Sequence, residues 1–176
     1  AEELEQSEFV PVGFELGIGD EIPSLVIPLP DGGSVRIDGK VDRVDRMEKN
    51  GVPYLRVVDY KTGHRDFKLS DVIYGMNMQM LVYLAALCEN GGERCGGAHP
   101  AGVLYMPASR PSVLLPRGAP EKKREAETEK QLRMDGLVLD DPEIIRGMEK
   151  KAEGKYLPVS LKNGVPSGKE HVVSAR

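Results

Sequence analysis

The stretch that decides the fold runs from Gly39 to Gly63 and reads GKVDRVDRMEKNGVPYLRVVDYKTG. Its two halves are rich in strand-forming residues, and between them Asn50-Gly51 is a strong signal for a tight turn. The stretch therefore predicts a β-hairpin. It also places Asp42 in the first strand and both Asp59 and Lys61 in the second, where a buried strand is normally apolar.

The spacing of these charges predicts how they are arranged. Alternate residues of a strand share one face, so Asp59 and Lys61 project to the same side. With the tip of the turn near residues 49 to 51, Asp42 is expected roughly opposite residue 58. A small register shift or a bulge would then bring the carboxylate of Asp42 within reach of Asp59.

Two carboxylates and one ammonium at a strand end favour a particular chemistry. Oxygen ligands suit hard cations such as Mg²⁺ or Mn²⁺. Such an ion polarises a phosphoryl oxygen and lowers the pKa of a bound water, while a lysine can hold that water or stabilise developing charge. The pattern thus indicates phosphodiester hydrolysis. The alternative is a solvated surface ion pair that contributes little energy.

The bulk composition sets limits on the class of protein. The 176 residues, with a net charge of -4, predict a single domain over residues 1–176 that does not bind nucleic acid by bulk charge alone, although a local basic groove remains open. The chain has no apolar run of membrane-spanning length and no secretion signal, so a cytoplasmic location is expected. Cys88 and Cys95 fit no common zinc spacing and are interpreted as incidental thiols. Both ends look truncated, which predicts a fragment of a larger protein.

The order of elements along the chain predicts an α/β (α+β) fold with a mixed central sheet flanked by helices. Strands are expected over residues 9–19, on both sides of a turn at 31–33, in the hairpin, over 101–107, over 110–118 and within 156–175. A buried helix is expected over residues 70–89 and a capped one from Asp141. The charged segment 119–132 is interpreted as a solvated helix or a mobile loop.

The buried helix carries its own clue. Gln79 and Tyr83 are four residues apart and are expected to share a face with Gly75 and Asp71. An amide and a phenol on a buried helix need partners, which lie either in the core or on a nucleic-acid backbone. The methionines of this helix are expected to fill the core; they are Met76, Met78 and Met80.

Taken in order, GKVDRVD, VVDYKTG and QMLVY resemble the motifs of the PD-(D/E)XK nuclease superfamily in its RecB-like branch. The resemblance implies a restriction-endonuclease-like core. Three further stretches, FVPVGFELGIG, GVLYMPASRP and RMDGLVLDDPEIIRGME, are similar to the C-terminal nuclease domains of AddB-type helicase–nuclease proteins. The resemblance covers about residues 9 to 174.

What the resemblance implies for the site is specific. Asp42 and Asp59 match the metal-binding acids, and Lys61 matches the catalytic lysine. The backbone carbonyl of Tyr60 matches a further metal ligand. The implied cofactor is Mg²⁺ or Mn²⁺.

Other residues match less directly. Gln79 and Tyr83 match the motif that orders the site and contacts DNA. Glu15 lies where related domains often carry a glutamate, with a metal-binding or a structural role. His64 belongs to a turn and matches no motif, and the upstream helix that supplies a further metal ligand in this branch has no counterpart here.

The resemblance also implies the protein's role. It implies an exo- or endodeoxyribonuclease that acts on single-stranded DNA from unwound duplex, with an AddA-like helicase partner, in double-strand-break repair and recombination. Cys88 and Cys95 do not match the cysteines that hold an iron–sulfur cluster in such proteins, so a cluster is expected only in the full-length protein. Two alternatives stay open: a non-catalytic DNA-binding or assembly module, and a stand-alone Cas4-like exonuclease.

Overall fold

The hairpin predicted from residues 39 to 63 forms the centre of a larger sheet. The structure is a computed structural model, and it describes residues 2–63, 67–76, 78–109, 112–113, 115–116 and 118–174. The strands are β1 (Val10–Ile18), β2 (Leu25–Pro28), β3 (Ser34–Ile37), β4 (Gly39–Lys49), β5 (Val52–Lys61), β6 (His99–Pro107), β7 (Asp135–Leu139), β8 (Leu161–Lys162), β9 (Val165–Pro166) and β10 (Val172–Val173). The helices are α1 (Glu2–Glu5), α2 (Leu69–Ile73), α3 (Gln79–Asn90), α4 (Gly92–Cys95), α5 (Glu121–Leu132) and α6 (Pro142–Met148), with a 3-10 turn at Lys169–His171.

The main sheet has six strands in the order β1-β4-β5-β6-β7-β10. The pairs β1–β4, β4–β5 and β6–β7 are antiparallel, and β5–β6 and β7–β10 are parallel. The turn between β4 and β5 has positive φ at both Asn50 (53°) and Gly51 (76°), which is the geometry of a two-residue hairpin turn. The predicted α/β class with a mixed sheet is confirmed.

Two apolar cores cover the two faces of this sheet. On one face, Leu55 and Val57 of β5 pack in a cluster that includes Leu84 of α3. On the other face, Val58 packs in a cluster that includes Ile144 of α6. Strand β5 is therefore buried on both sides, as the apolar run YLRVV predicts for a central strand.

Several boundaries differ from the sequence-based expectation. The helix expected over residues 70–89 is divided into α2 and α3, with Gly75 at a φ of 79° between them. Because of this break, Asp71 and Gly75 do not continue the face of Gln79. Met76 and Met78 are exposed, so their assignment to the core was wrong, whereas Met80 is buried.

In the second half of the chain, one predicted strand is not observed and one observed strand was not predicted. None of the described residues between 110 and 118 belongs to a strand, and the other residues of that range lie outside the described part. Strand β7 was not predicted, yet it pairs with β6 inside the main sheet. Segment 119–132 contains the solvated helix α5, which buries none of its residues. Within the described part of the chain, no helix is both long and apolar enough to cross a membrane.

Candidate active site

The hairpin register brings Asp42 and Asp59 to neighbouring positions. The last regular pair of β4 and β5 is Arg43 with Val58, so the next residue on each strand is Asp42 and Asp59. The expectation that Asp42 lies opposite residue 58 was wrong by one position, and no bulge is needed to align the two acids. The carboxylate of Asp42 is fixed by the hairpin itself, because its Oδ2 accepts a hydrogen bond from the backbone N–H of Tyr60 at 2.9 Å.

Asp59 and Lys61 share a face, as their spacing predicts. The ammonium of Lys61 is in contact with Oδ2 of Asp59, and their side chains are 32% and 19% exposed respectively. Apart from this ionic contact, the Oδ2 atom is shielded from solvent and receives no hydrogen bond from a described residue. An ionised carboxylate has several acceptor sites, so Asp59 can bind a cation as well as contact the Lys61 ammonium.

These groups provide a small set of oxygen ligands. Two carboxylates and the backbone carbonyl of Tyr60 have the chemistry that Mg²⁺ or Mn²⁺ accepts, and Mg²⁺ commonly completes its shell with water. Among the described residues, no group of three or more Asp, Glu, His or Cys side chains is arranged to hold a metal ion. His64 lies outside the described residues.

Glu15 lies opposite Asp42 in the β1–β4 pair, but the carboxylates of the two residues do not form a metal-binding group in the described part of the chain. The pairs Phe14–Arg43 and Leu16–Val41 flank it in the β1–β4 ladder, and its own φ of 53° interrupts the regular strand geometry. Its exposed carboxylate forms an ion pair with Lys40. The hydrogen bond and the negative charge of Glu15 raise the pKa of the Lys40 ammonium. The structure therefore does not bring Glu15 to the two aspartates, and its assignment as a ligand remains a prediction.

Gln79 and Tyr83 meet at the first turn of α3. The side-chain amide of Gln79 donates a hydrogen bond to the hydroxyl of Tyr83 at 2.8 Å. Tyr83 is buried, whereas Gln79 is exposed. The helix end lies against the start of β4, because a Cβ placed on Gly39 would be 1.9 Å from the Tyr83 hydroxyl oxygen. The two motif residues are thus held above the strand that carries Asp42.

The reverse face of the hairpin contains a buried ionic cluster that was not predicted. Asp45 is fully buried and accepts hydrogen bonds from Arg43 and Arg56, and Glu3 of α1 pairs with both arginines. Burial acts to lower the pKa of Arg43, but the hydrogen bonds and the charge of Asp45 raise it overall. Arg43 also donates to the Tyr60 hydroxyl at 3.3 Å.

This cluster explains part of the charge pattern in the hairpin. Arg43 and Asp45 are two residues apart in β4, and Asp45 pairs directly with Arg56 of β5. The alternation of strand faces places Arg56 away from Asp59, but nothing in the hairpin sequence identifies Glu3 as the fourth member. The acids of this hairpin therefore form two separate groups, one on each face.

A cavity of about 500 Å³ lies beside this region and not within it. Its walls include Glu15, Asp38 and Lys40, and the three residues Asp42, Asp59 and Lys61 are not among those that line it.

Comparison with known proteins gives one family and a set of similar proteins. A family model described as the PD-(D/E)XK nuclease superfamily matches residues 1–157. Three similar curated proteins are each named as one of the subunits of an ATP-dependent helicase/deoxyribonuclease. The protein from Clostridium acetobutylicum is 38% identical over 167 residues (92% of this chain, 14% of the relative). The protein from Acetivibrio thermocellus is 41% identical over 160 residues (89% and 14%), and that from Thermoanaerobacter sp. is 36% identical over 174 residues (97% and 15%).

The chain therefore spans only a small part of the length of these relatives. The resemblance to AddB-type nuclease domains is confirmed over most of the chain. The match to the family model extends from α1 through α6 and includes the whole β4–β5 hairpin with its acids and its lysine. The chain belongs to the PD-(D/E)XK nuclease superfamily.

Proposed function

We propose that this chain is a deoxyribonuclease domain that hydrolyses DNA phosphodiester bonds with the help of Mg²⁺ or Mn²⁺. The observation that carries the proposal is the placement of Asp42, Asp59 and Lys61 at the adjoining ends of β4 and β5. A decayed site would not be expected to retain all three groups. Membership in a nuclease superfamily supports the same conclusion.

In this proposal, Asp42, Asp59 and the carbonyl of Tyr60 hold the metal ion. A bound ion of this kind supplies polarisation of a phosphoryl oxygen and a more acidic water. The carboxylate of Asp59 has acceptor sites beyond the one that contacts Lys61, and this capacity supports the assignment. The amide of Tyr60 holds Asp42 in place before any ligand arrives, and this lowers the cost of organising the site.

Lys61 contributes a positive charge next to the ligands. Its ammonium has three N–H donors, one directed at Asp59, so that others can orient the attacking water or stabilise charge on the phosphate. Gln79 is exposed beside the site and can donate to a phosphate oxygen, while its partner Tyr83 anchors it to the helix.

The names of the relatives support the proposed substrate and partner. A protein named as part of a helicase/deoxyribonuclease couples two activities by its name, so we propose single-stranded DNA from unwound duplex as the substrate. An AddA-like helicase partner would deliver that strand during double-strand-break repair and recombination in the cytoplasm. This setting is favoured over a stand-alone Cas4-like exonuclease because the similar proteins are named as subunits.

Metal binding tests the proposal without depending on turnover. Isothermal titration with Mn²⁺ should show binding to the chain and at least roughly tenfold weaker binding to Asp59→Asn, because a metal ligand has lost its charge. Glu125→Gln on the solvated helix α5 removes an equal charge elsewhere and serves as the matched control. Equal affinity in all three proteins would overturn the proposed metal site and favour a non-catalytic binding module.

A further inference from the structure

Lys61 is supported by an aromatic side chain from the neighbouring strand. Its Nζ lies 5.6 Å from the centroid of the Tyr105 ring, within the range of a cation–π contact. Tyr105 pairs with Asp59 in the parallel β5–β6 register. The ammonium of Lys61 is thus contacted by a carboxylate of its own strand and by an aromatic ring of the next one.

The Tyr105 ring is in turn stacked on Phe67. The two ring centroids are 6.2 Å apart and the ring planes are inclined by 29°. Phe67 is 8% exposed, and it lies six residues after Lys61 along the chain. The aromatic pair therefore connects the end of β5, which carries Lys61, with the buried residue Phe67.

The carboxylate of Asp135 holds the backbone of Phe67 in place. Its Oδ2 accepts a hydrogen bond from the backbone N–H of Phe67 at 2.6 Å, and its Oδ1 accepts one from Gly136 at 2.8 Å. Asp135 is also the β7 partner of Tyr105. His171 closes the group, with Nδ1 2.9 Å from the carbonyl of Gly136 and its ring centroid 6.3 Å from that of Phe67.

We propose that Asp135 and Tyr105 are positioning residues for Lys61, with Phe67 transmitting the constraint between them. The group joins β5, β6, β7 and the 3-10 turn, so three strands and the C-terminal segment set the place of one ammonium. Asp135 contacts neither the metal ligands nor Lys61 in any described interaction, and its effect passes through Phe67 and Tyr105. This inference rests on the proposed function, since Lys61 is a catalytic residue only if the chain is a nuclease.

The arrangement predicts different consequences for closely matched substitutions. Tyr105→Leu removes the ring beside the Lys61 ammonium and should lower the rate of DNA cleavage. Asp135→Asn keeps one acceptor oxygen and should retain most of the rate, whereas Asp135→Ala releases Phe67. For the two disruptive variants we expect a decrease in kcat of roughly tenfold to hundredfold with KM unchanged, because the reacting group is displaced while DNA contacts remain.

A spectroscopic measurement tests the positioning independently of cleavage. In protein labelled with ¹³C at the lysine ε position, the Lys61 signal is assigned by its loss in Lys61→Arg. The Tyr105 ring should shift this signal away from those of the other lysines, and the shift should collapse in Tyr105→Leu and Asp135→Ala but persist in Asp135→Asn. Far-UV circular dichroism verifies that each variant is folded. If a disruptive variant does not fold, Phe67→Leu is measured in its place, since it also removes the ring that links Asp135 to Tyr105.

The two readouts separate the inference from the function on which it rests. An unchanged Lys61 signal in folded Asp135→Ala and Tyr105→Leu overturns the positioning role, even if the protein cuts DNA. A collapsed signal in a protein that never cuts DNA retains the positioning role and overturns the nuclease proposal. A change in KM alone with kcat intact also refutes the inference, since it would indicate a change in DNA binding.

Discussion

The close approach of α3 to β4 gives a prediction whose size follows from the structure. A Cβ on Gly39 would be 1.9 Å from the hydroxyl oxygen of Tyr83 and 2.3 Å from its ring carbon Cζ. Ordinary contacts of a Cβ begin at about 3.4 Å, so Gly39→Ala must move the helix or the ring by roughly 1.5 Å. Tyr83 is buried in the core cluster and hydrogen-bonded to Gln79, so moving its ring disturbs packed neighbours.

The expected cost is about 1 to 3 kcal/mol of the free energy of unfolding, the usual penalty for overpacking a core. Gly63→Ala is the matched control, because a Cβ on Gly63 would have no described residue within 4 Å. That change should be neutral or stabilise the protein by up to about 1 kcal/mol by restricting the unfolded chain. Urea unfolding followed by far-UV circular dichroism measures both values, and the chain has no tryptophan to serve as a fluorescent probe.

A double-mutant cycle isolates the contact itself. In a Tyr83→Ala background the space above Gly39 is open, so the added methyl group should cost far less than in the parent protein. The coupling energy should then be at least about 1 kcal/mol. If Gly39→Ala is no more destabilising than Gly63→Ala, or if the two substitutions on the α3–β4 contact are additive, the reasoning that places Tyr83 against β4 is refuted.

Three further predictions concern other parts of the molecule. Asp45→Ala leaves Arg43 and Arg56 buried with one fewer partner, so it should cost about 3 to 5 kcal/mol in urea unfolding; a loss below about 1 kcal/mol would contradict a closed ionic cluster. Asp141 caps α6, and although burial acts to raise its pKa, backbone hydrogen bonds and an ion pair lower it overall. Because the folded pKa is below the unfolded value, its stabilisation is present above about pH 4 and is lost as pH falls through the folded pKa. Asp141→Ala should therefore cost about 1 kcal/mol at pH 7 and less at pH 3, and an equal cost at both would contradict this. Burial raises the pKa of the Cys88 thiol to about 11, so its alkylation by iodoacetamide should be slow at pH 8 and accelerate toward pH 11. Fast alkylation of Cys88 at pH 8 would contradict the raised pKa.

The parts of the fold that the sequence predicts well are those with local signals. The β4–β5 hairpin follows from alternation on both sides of Asn50-Gly51, and α6 follows from Asp141 and Pro142 at its start. The neighbouring positions of Asp42 and Asp59 follow for the same reason, because spacing within one hairpin determines which face a residue occupies; their role as metal ligands stays a prediction.

The missed features depend on contacts between distant parts of the chain. Gly136 lies inside β7 with a φ of 135°, and a Cβ there would be 2.1 Å from the carbonyl oxygen of Val103. In the sequence, a glycine in such a short apolar run is typical of a turn. The close approach of β6 is the reason that this strand position requires a glycine. The buried cluster on the reverse face likewise needs Glu3, which is 40 residues from Arg43 along the chain.

The central claim is that Lys61 acts with Asp42 and Asp59 in cutting DNA. The most direct test is cleavage of end-labelled single-stranded DNA in Mn²⁺ by the chain and by Lys61→Ala, with Lys122→Ala on the solvated helix α5 as the control. Metal-dependent cleavage is expected from the chain and from Lys122→Ala, and this cleavage is expected to be lost in Lys61→Ala. Cleavage by Lys61→Ala at the parent rate, or no cleavage by the parent chain when Mn²⁺ is bound, would contradict it.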